Sequence, residues 1–536
     1  MKNKKGERLR ILCTTLRDGQ QCPGAGMVFE DNLEYARLVS DMGIDVLEAG
    51  FPASSALDAQ IVSAIASELG PVPNAPVIAA LCQLREEQVE KTITALEPAI
   101  KHDKARLHVY LPVDPLLMKA SLGKMAEDKF GLIGALFSCV KTAREAGLEV
   151  QFSPEGYSRM GENFDFTTDL IRAGVEAGLK VINCPDTVGY ACYLQGDDYF
   201  VNNMIRHAKI VADEYPERDI TWSVHCHNDF GLAVANTINA VFEGPARQIE
   251  GCFNGIGERA GNAALEQCIM ILKHFSSKSG QAFYCEAKSE KIKAVSDFVM
   301  KKMLPRQPHW PIVGDNAAKH SAGGHTNAIL KDINIYQPFD PAEVGQEVSL
   351  LFGPLSGGNH AKAIIEKRSY KIGDSEKAEI AQFIKDLYRD RRKGITDEEL
   401  MKGYYEFRKP IKIQEFDYSK SSNRCEVILK GQFFSEEGLL REVNQGQDSA
   451  LAALKKLIDK YQPGFSIKSY KSHSEGKDID ARSVSTIVIA SELGEEFEGL
   501  GDDRDIEISA MKALVDAENR AYVQRNFFVP REASVK

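Results

Sequence analysis

Eight short apolar runs alternate with amphipathic helical stretches between residue 9 and about residue 275, and this alternation constrains the fold more than any other feature of the sequence. The runs cover residues 10–18, 45–51, 76–83, 106–113, 149–155, 181–188, 220–227 and 248–254. Strands that are apolar almost throughout, each followed by a helix, are typical of a parallel sheet. Eight such units predict a closed (β/α)8 barrel. The alternative is an open doubly wound sheet, but no G-x-G-x-x-G motif follows the first run, which counts against a dinucleotide-binding fold.

The length and charge of the chain limit the classes of protein it can belong to. A chain of 536 residues is too long for one hydrophobic core and predicts several folding units. Its net charge of -11 argues against a general binder of nucleic acid or of a membrane surface, although a local basic patch for a phosphate-bearing cofactor stays open. Eleven cysteines without a C-x-x-C motif indicate reduced thiols, and no apolar run near the start is long enough for a signal or spanning segment. We therefore expect a cytoplasmic enzyme with no nucleic-acid or membrane partner.

Two histidines stand two residues apart at the end of the seventh run. His225 and His227 follow a strand-like stretch, and residues 228–231 then turn the chain into a helical run. Side chains at positions i and i+2 of a strand point to the same face, so both imidazoles can bind one metal ion. Taken alone, the pair could also be an accident on a half-polar strand.

Polar residues are concentrated where the predicted strands end. In a (β/α)8 barrel the active site lies at the carboxyl ends of the strands and in the loops that follow. Asp18, Glu48 and Glu155 occupy such positions, where a capping role is the commoner explanation for any single residue. Asp18 with His225 and His227 offers one oxygen and two nitrogen ligands, a set that suits Mn²⁺, Mg²⁺, Zn²⁺ or Fe²⁺. The sequence does not choose among these metals.

Several segments carry a resemblance to a known family. They are the motifs that begin at Thr15, Glu48, Asp186, His225 and Asn254, the last of which reads N-G-I-G-E-R-A-G-N. In this order they resemble the signatures of the 2-isopropylmalate synthase family, in the DRE-TIM metallolyase superfamily. In the tail, residues 499–506 and the helix after them are similar to the leucine-binding dimer domain of that family.

The resemblance implies a Claisen condensation. Members of this family join acetyl-CoA to a 2-keto acid and then hydrolyse the thioester. Here the implied keto acid is 2-ketoisovalerate, so the product is 2-isopropylmalate and the reaction is the first committed step of leucine biosynthesis. A divalent metal that is chelated by the keto acid would polarise its carbonyl group. The alternatives are a citramalate synthase that uses pyruvate, another 2-keto-acid synthase, or a paralogue that binds ligand without turnover.

The resemblance also implies roles for individual residues of the barrel. Arg17 is then placed to offset the charge that develops on the keto-acid oxygen. Thr187 would hold the substrate carboxylate, and Glu155 would contact the reacting centre. Asn262 resembles a further metal ligand, although a helix N-cap is nearly as ordinary a role for it. His108 matches a substrate-contacting histidine of some members, and it could equally be a core residue.

The expected keto acid depends on Ser153, two residues before Glu155. A small side chain there leaves room for a branched substrate, whereas an aromatic one would favour pyruvate. Two departures from the family pattern bear on the site. Gln20 replaces an acid of the first motif, and residues 112–117 replace the A-T-S segment that follows the fourth strand in many relatives.

A segment beyond the barrel resembles the part of the family that reaches over the active site of a neighbouring subunit. It runs from residue 319 to residue 345, and the resemblance assigns its catalytic histidine and tyrosine to His325 and Tyr336. A histidine with an ordinary pKa is a reasonable base for abstracting a methyl proton from a thioester. We interpret His320, in the same segment, as a surface histidine.

The sequence predicts three consecutive parts. Residues 1–275 form the catalytic barrel, a break at residues 276–280 leads into linker subdomains over 276–410, and residues 411–536 form a separate α+β domain with strands at 425–430 and 484–489. The resemblance implies that this last domain forms a homodimer and binds leucine as an inhibitor. A domain kept only for dimer stability is the alternative.

Overall fold

The computed structural model describes residues 6–276, 283–391, 393–445, 449–475 and 481–530. The chain divides into two compact units. The first extends to residue 318 and includes residues 339–348, and the second comprises residues 319–338 together with those from 349 onward. The predicted break at 276–280 lies outside the described residues except for Ser276. The three-part division of the chain stays a prediction.

The first unit is built around a closed barrel of eight parallel strands. A short strand, β1 (Glu7–Arg8), precedes the barrel. The barrel strands are β2 (Arg10–Cys13), β3 (Val46–Glu48), β4 (Val77–Gln83), β5 (Ala105–Pro112), β6 (Glu149–Glu155), β7 (Val181–Asp186), β8 (Thr221–Cys226) and β9 (Ala246–Gly251). The barrel closes where β9 pairs with β2, with Arg10 opposite Gln248. The predicted (β/α)8 fold is confirmed.

Helices connect the barrel strands and cover the outside of the barrel. They are α1 (Phe29–Met42), α2 (Ala56–Leu69), α3 (Glu86–Ile100), α4 (Pro115–Leu122), α5 (Lys129–Glu145), α6 (Phe164–Ala177), α7 (Phe200–Glu214), α8 (Ala233–Phe242) and α9 (Leu265–Phe275). In helix α6, for example, Phe166, Leu170 and Ala173 fall on one face and are buried. It ends at Gly178, whose φ of 105° lies in the left-handed region that glycine adopts without a steric penalty.

Strand β2 ends at Cys13, whereas the predicted run extends to residue 18. The chain turns immediately after the strand, because the backbone N–H groups of Arg17 and Gly19 both donate to the carbonyl of Thr14. The hydroxyl of Thr14 donates to Glu48 Oε2 at 2.6 Å. These local hydrogen bonds compete with the inter-strand hydrogen bonds that a longer β2 would form. The turn leaves Asp18 at the carboxyl end of the barrel.

The first unit continues beyond the barrel with β10 (Phe283–Tyr284) and α10 (Ile292–Lys302). Strand β10 pairs in parallel with β1. Several apolar side chains of α10, including Ile292, Val295 and Val299, are buried in the same hydrophobic core as the barrel helices. None of the described helices has both the length and the apolar character needed to cross a membrane.

The second unit begins with short elements and a helical cluster. These are β11 (Lys319–His320), α11 (Gly323–Ile329), β12 (Ser349–Leu350), α12 (Gly358–Lys367), α13 (Lys377–Leu387) and α14 (Asp397–Arg408). Strands β11 and β12 pair in parallel. Ile364, Ile380, Ile384, Leu400 and Tyr404 form the core of the helical cluster.

The rest of the second unit is an α+β region in which the same order of elements occurs twice. Its elements are β13 (Ile411–Ser421), β14 (Arg424–Phe433), β15 (Glu436–Gln445), α15 (Ala450–Asp459), β16 (Phe465–Glu475), β17 (Arg482–Ser491), β18 (Glu496–Asp503) and α16 (Ile506–Phe527). Each trio of strands forms one antiparallel sheet with the middle strand in the centre. The predicted α+β class is confirmed.

The sequence analysis recognised only the two central strands of these sheets. Strands β14 and β17 alternate between buried and exposed residues, which is the pattern that a sequence reveals. Strand β16 is exposed at most of its positions, and β15 is nearly as polar. Such edge strands are held by backbone hydrogen bonds to the central strand, so their side chains carry almost no periodic signal.

Candidate active site at the barrel mouth

The predicted metal-binding side chains meet at the carboxyl end of the barrel. His225 lies in β8 and His227 follows its last residue, so both histidines face the inside of the mouth. The backbone N–H of His227 donates to the carbonyl of Asp186 on the neighbouring strand. The backbone of His227 also forms an isolated antiparallel β-bridge with that of Asn262. Both imidazoles are buried. The β8 strand and the loop that follows β9 therefore fix the histidine pair from two sides.

Three ligand-type atoms converge on one point. His225 Nε2 and His227 Nε2 lie 3.2 Å apart. Asp18 Oδ2 is 3.8 Å from the first nitrogen and 4.0 Å from the second. Among the described residues this is the group of histidine, cysteine and carboxylate side chains that could hold a metal ion, with all its ligand atoms within 4.8 Å of one another. One oxygen and two imidazole nitrogens leave positions free for water or substrate.

Asn262 adds a fourth polar group to this set. Its Nδ2 donates to Asp18 Oδ1 at 2.6 Å and to the carbonyl of Ile256 at 3.0 Å. Its Oδ1 is buried and has no hydrogen-bond partner among the described residues. A buried acceptor without a donor is costly unless a cation or water is bound. The residues present therefore fit a divalent cation, which oxygen and nitrogen ligands of this kind accept.

Charge and burial leave these side chains in the forms that bind metals. Burial raises the pKa of the Asp18 carboxyl, but the charge of Arg17, with smaller contributions from the two histidines and from the Asn262 hydrogen bond, outweighs burial and lowers that pKa to about 2. Burial, assisted by His227, lowers the pKa of His225 to about 3 and lowers the pKa of His227 as well. At neutral pH the site thus presents one carboxylate and two neutral imidazoles, as metal coordination requires.

Arg17 connects the metal-type cluster to the barrel interior. It donates from Nη1 to Asp18 Oδ2 and from Nε to Glu48 Oε2, each at 2.7 Å. Burial disfavours its charge, but the two carboxylates outweigh burial and raise the pKa of Arg17 above its ordinary value. Burial would raise the pKa of Glu48, but Arg17 and His108 hold it well below its usual range. Arg17 is therefore a fixed cation at the mouth.

A cavity of about 310 Å³ opens above these residues. Its lining includes most of the residues that the sequence analysis assigned to the site, namely Arg17, Asp18, His108, Ser153, Glu155, Thr187, His225 and His227. Asn262 is not part of the lining and reaches the site through Asp18. The structure thus gathers these residues in one place, while the role of each stays a prediction.

Glu155 and Thr187 lie on the same side of the cavity. Burial and the neighbouring Asp114 raise the pKa of Glu155, which Arg17 partly opposes. The hydroxyl oxygen of Thr187 accepts a hydrogen bond from the backbone N–H of Gly156 at 2.9 Å. Because that oxygen is already an acceptor, its hydrogen is free to be donated to a carboxylate in the cavity.

His108 and Ser153 form the wall of the cavity nearest the barrel interior. His108 Nδ1 lies 2.5 Å from Glu48 Oε1, and its Nε2 lies 2.7 Å from Ser153 Oγ. Asn183 Nδ2 donates to the same hydroxyl at 2.8 Å. His108 is therefore a buried, hydrogen-bonded residue of the cavity wall, and its contact with substrate stays a prediction.

The sequence analysis missed other residues of the cavity lining. Tyr110 and Asn183 line it from β5 and β7, and Arg259 lines it from the loop after β9. Arg259 donates to both carboxylate oxygens of Asp229 and to the carbonyl of Thr187. Tyr110 stands two residues after His108, so the period of two along a strand could have identified it. Arg259 offered no such local signal.

The two remaining predicted residues lie in the second unit. His325, in α11, and Tyr336 stack with ring centroids 3.9 Å apart and an angle of 18° between the rings. Tyr336 is exposed. His320 Nε2 lies 3.0 Å from Gln337 Nε2, and this histidine is partly exposed. The predicted approach of His325 and Tyr336 to a neighbouring active site stays a prediction.

Comparisons with known proteins agree with this geometry. Family models match in succession: "HMGL-like" over residues 8–299, "Homocitrate synthase post-HMGL domain-like" over 312–393, and "LeuA allosteric (dimerisation) domain" over 398–522. A 2-isopropylmalate synthase of Aquifex aeolicus is 33% identical, with 98% of each chain covered. One from Thiobacillus denitrificans is also 33% identical, covering 97% of this chain and 98% of its own. The chain belongs to the 2-isopropylmalate synthase family of enzymes.

Proposed function

We propose that this enzyme condenses acetyl-CoA with 2-ketoisovalerate and hydrolyses the thioester to give 2-isopropylmalate, the first committed step of leucine biosynthesis. The observation that carries the proposal is the barrel mouth, where Asp18, His225 and His227 converge beside the fixed cation Arg17 in one cavity. Full-length similarity to 2-isopropylmalate synthases favours this reaction over the citramalate and ligand-binding alternatives.

The proposed metal ligands are Asp18, His225 and His227, with Asn262 as a further oxygen donor. A divalent cation bound there supplies Lewis-acid polarisation of the keto-acid carbonyl. Mn²⁺, Mg²⁺ and Zn²⁺ all accept such a set. Arg17 supplies a second positive charge, which stabilises the alkoxide oxygen as the new carbon–carbon bond forms.

The walls of the cavity orient the keto acid. We assign Thr187 to its carboxylate, because the hydroxyl hydrogen of this residue is free to donate. We assign the part of the cavity lined by Ser153 and His108 to the substrate side chain, because the small Ser153 leaves space for a branched group. Discrimination of one methyl group is worth about 1–3 kcal/mol, so some turnover of smaller keto acids is expected.

The reaction needs a base for the acetyl group. By resemblance to the family, we assign the methyl proton to the imidazole of His325, with Tyr336 as its stacked partner, both supplied by a neighbouring subunit. Glu155 lies in the cavity with a raised pKa and contacts the reacting centre. The carbanion then attacks the ketone carbon, the alkoxide takes up a proton, and water cleaves the thioester to release CoA and a carboxylate.

The proposal extends to assembly and control. The family model for the dimerisation domain matches residues 398–522, which supports a homodimer and a regulatory region. We propose that residues 411–536 bind leucine and lower activity, that 276–410 act as linker subdomains, and that 1–275 are the catalytic barrel. The cytoplasmic location stays a prediction.

A thiol-release assay tests the proposed reaction. Purified enzyme is mixed with acetyl-CoA and one of a panel of 2-keto acids, in the presence of Mn²⁺, Mg²⁺ or Zn²⁺, and free CoA is measured over time. We expect the highest kcat/KM with 2-ketoisovalerate. A higher value with pyruvate would reassign the enzyme to citramalate synthesis. No CoA release with any keto acid would leave a ligand-binding paralogue.

A further inference from the structure

The loop that carries Asn262 has an unusual backbone. Between β9 and α9, left-handed φ values occur at Asn254 (60°), Gly255 (59°) and Arg259 (53°), and positive values at Gly257 (153°) and Gly261 (91°). Left-handed conformations at residues other than glycine cost free energy and persist only where the surroundings hold them. This loop therefore needs anchors, and the structure identifies where they are.

The first anchor is Glu266, a fully buried residue in the first turn of α9. Its Oε2 accepts a hydrogen bond from the backbone N–H of Asn254 at 3.0 Å. Its Oε1 accepts one from the indole Nε1 of Trp310 at 2.8 Å. One carboxyl group thus joins the start of the loop to the segment that follows α10.

The same segment packs against the loop. A Cβ atom placed on Gly255 would lie 3.3 Å from Cζ2 of the Trp310 indole, so the ring covers this glycine closely. The side chain of Asn254 is held as well, because its Nδ2 donates to the carbonyl of Ser296 at 2.8 Å. Arg306 donates in turn to the Ser296 hydroxyl at 2.5 Å. The start of the loop is therefore fixed from α9, α10 and the Trp310 segment.

A short path leads from these anchors to the proposed metal ligands. The carbonyl of Gly255 accepts a hydrogen bond from the backbone N–H of Asn262 at 2.9 Å. Asn262 Nδ2 then donates to Asp18 Oδ1 at 2.6 Å. The loop leaves little free space here, because a Cβ atom on Gly257 would lie 2.7 Å from the same carboxylate oxygen. A shift at Asn254 or Gly255 would therefore displace Asn262 and Asp18.

Stability alone does not account for a carboxyl group at this place. Glu266 forms no salt bridge among the described residues, and burial raises its pKa to about 7, although Trp310, Asn254 and Arg306 oppose the shift. A buried acid without a close counter-ion destabilises a fold, and an uncharged side chain of similar size is often neutral or stabilising in its place. The carboxyl group does provide two acceptor oxygens for two N–H donors, which an amide cannot do.

We propose that Glu266 and Trp310 are positioning residues that hold the loop over residues 254–262 so that Asn262 and Asp18 present their oxygens to the divalent cation. This inference rests on the proposed metal site. Neither residue is part of the cavity lining. Both act through Asn254 and Gly255, which do not line the cavity either.

The test is a titration with Mn²⁺ followed by electron paramagnetic resonance, which reports binding without turnover. We expect Glu266→Gln to weaken Mn²⁺ binding about tenfold, a typical effect of losing a residue that orients a metal ligand. Its melting temperature should equal or exceed that of the wild type. Excess Mn²⁺ should restore kcat in this variant, which a general structural defect would not allow.

A double variant sharpens the test. In Glu266→Gln the amide Nε2 must face either the Trp310 N–H or the backbone N–H of Asn254, so in both orientations two donors oppose each other. Replacing Trp310 with Phe removes one donor, and the double variant should therefore bind Mn²⁺ more tightly than Glu266→Gln alone. If Glu266→Gln does not fold, Trp310→Phe alone tests the proposal. Trp310→Phe should lose less Mn²⁺ affinity than Glu266→Gln.

Glu518 provides a matched control. It is a buried glutamate of the second unit, and burial likewise raises its pKa to about 7, against the opposing charge of Lys455. Glu518→Gln should leave Mn²⁺ binding unchanged. Wild-type binding of one Mn²⁺ together with unchanged affinity in Glu266→Gln would overturn this inference alone. A wild-type enzyme that binds no Mn²⁺ would overturn the proposed metal site and this inference with it.

Discussion

Two polar clusters lie inside the same barrel, and they differ in how completely their atoms are paired. The mouth cluster consists of Asp18, His225, His227 and Asn262. The floor cluster, nearer the amino ends of the strands, consists of Arg106, Gln151, Ser223, Gln248 and Glu250. In the mouth cluster His225 Nδ1, His227 Nδ1 and Asn262 Oδ1 have no hydrogen-bond partner among the described residues. In the floor cluster this is true only of Glu250 Oε2, again among the described residues.

The floor cluster is a network of matched donors and acceptors. Arg106 Nη1 donates to the amide oxygens of Gln151 at 3.0 Å and Gln248 at 2.8 Å. Glu250 Oε1 accepts from Gln151 Nε2 at 2.6 Å and from Ser223 Oγ at 2.8 Å. A largely paired buried network rigidifies a core, whereas an unpaired acceptor such as Asn262 Oδ1 at the mouth is costly unless a ligand completes it. The contrast separates the floor residues, which stabilise the barrel, from the mouth residues, which we propose bind the metal ion.

The largest expected effect is a loss of metal from the mouth cluster. His227→Ala removes one of the three proposed ligands Asp18, His225 and His227, so we expect the stoichiometrically bound metal to be lost. The rate of CoA release should fall by more than the roughly 10–100-fold loss that is typical when a residue that orients a metal ligand is replaced. The unfolding free energy should change little, because an unpaired polar group is removed. Elemental analysis and a thermal melt measure the two quantities. Retention of one metal per chain would show that the ligand set is wrong.

The opposite outcome is expected at the floor cluster. Arg106→Met leaves Glu149 Oε2 and Gln248 Oε1 without their donor, and loss of one partner of a buried pair costs about 3–5 kcal/mol of unfolding free energy. Urea denaturation measures this loss. The fraction that remains folded should still bind one metal ion. If metal affinity fell with stability, the two clusters would not be separable.

Regulation should be independent of both clusters. Removing the residues after Lys409 should abolish inhibition by leucine, which in such systems corresponds to a coupling of about 1–3 kcal/mol. Leucine titrated against the full-length and shortened enzymes measures the effect, with metal content as the control. A flat response of the full-length enzyme, without heat of leucine binding in calorimetry, would support a domain kept for dimerisation.

Ser153 stands between the two clusters, and its size should set the keto-acid preference. Ser153→Phe fills the side-chain space, so kcat/KM for 2-ketoisovalerate should fall relative to pyruvate by about 1–3 kcal/mol for each methyl group excluded. Ser153→Ala is the matched control, because it removes the hydroxyl without adding volume. An unchanged ratio in Ser153→Phe would place the substrate side chain elsewhere.

The smallest expected effect is a pH dependence of stability from Glu266. Its pKa is raised from 4.5 to about 7 in the folded protein, so the unfolded chain ionises first. The stability that the neutral acid contributes is complete below pH 4.5 and is lost as the pH rises through about 7. Relative to Glu266→Gln, the unfolding free energy of the metal-free wild type should fall by about 1 kcal/mol between pH 6 and pH 7. If the unfolding free energies of the two proteins changed in parallel with pH, the raised pKa of Glu266 would be contradicted.

The sequence by itself determined the barrel and the ingredients of its mouth. Parallel strands that are buried on both faces must be apolar along their length, so eight such runs could be counted directly. The pair formed by His225 and His227 could be recognised because the side chains of a strand alternate between its two faces with a period of two. The position of Asp18 followed from the rule that barrel sites form at the carboxyl ends of strands. In each case the signal is local to a few consecutive residues.

The tertiary structure decided the features whose partners are distant in the chain. The polar edge strands β15 and β16 exist because a central strand offers them hydrogen bonds, which leaves no apolar pattern in their own residues. The floor cluster joins residues from β5, β6, β8 and β9, and the Glu266 anchor joins α9 to Trp310. Pairing of buried polar groups depends on which donors and acceptors meet in space, and the sequence does not record that geometry.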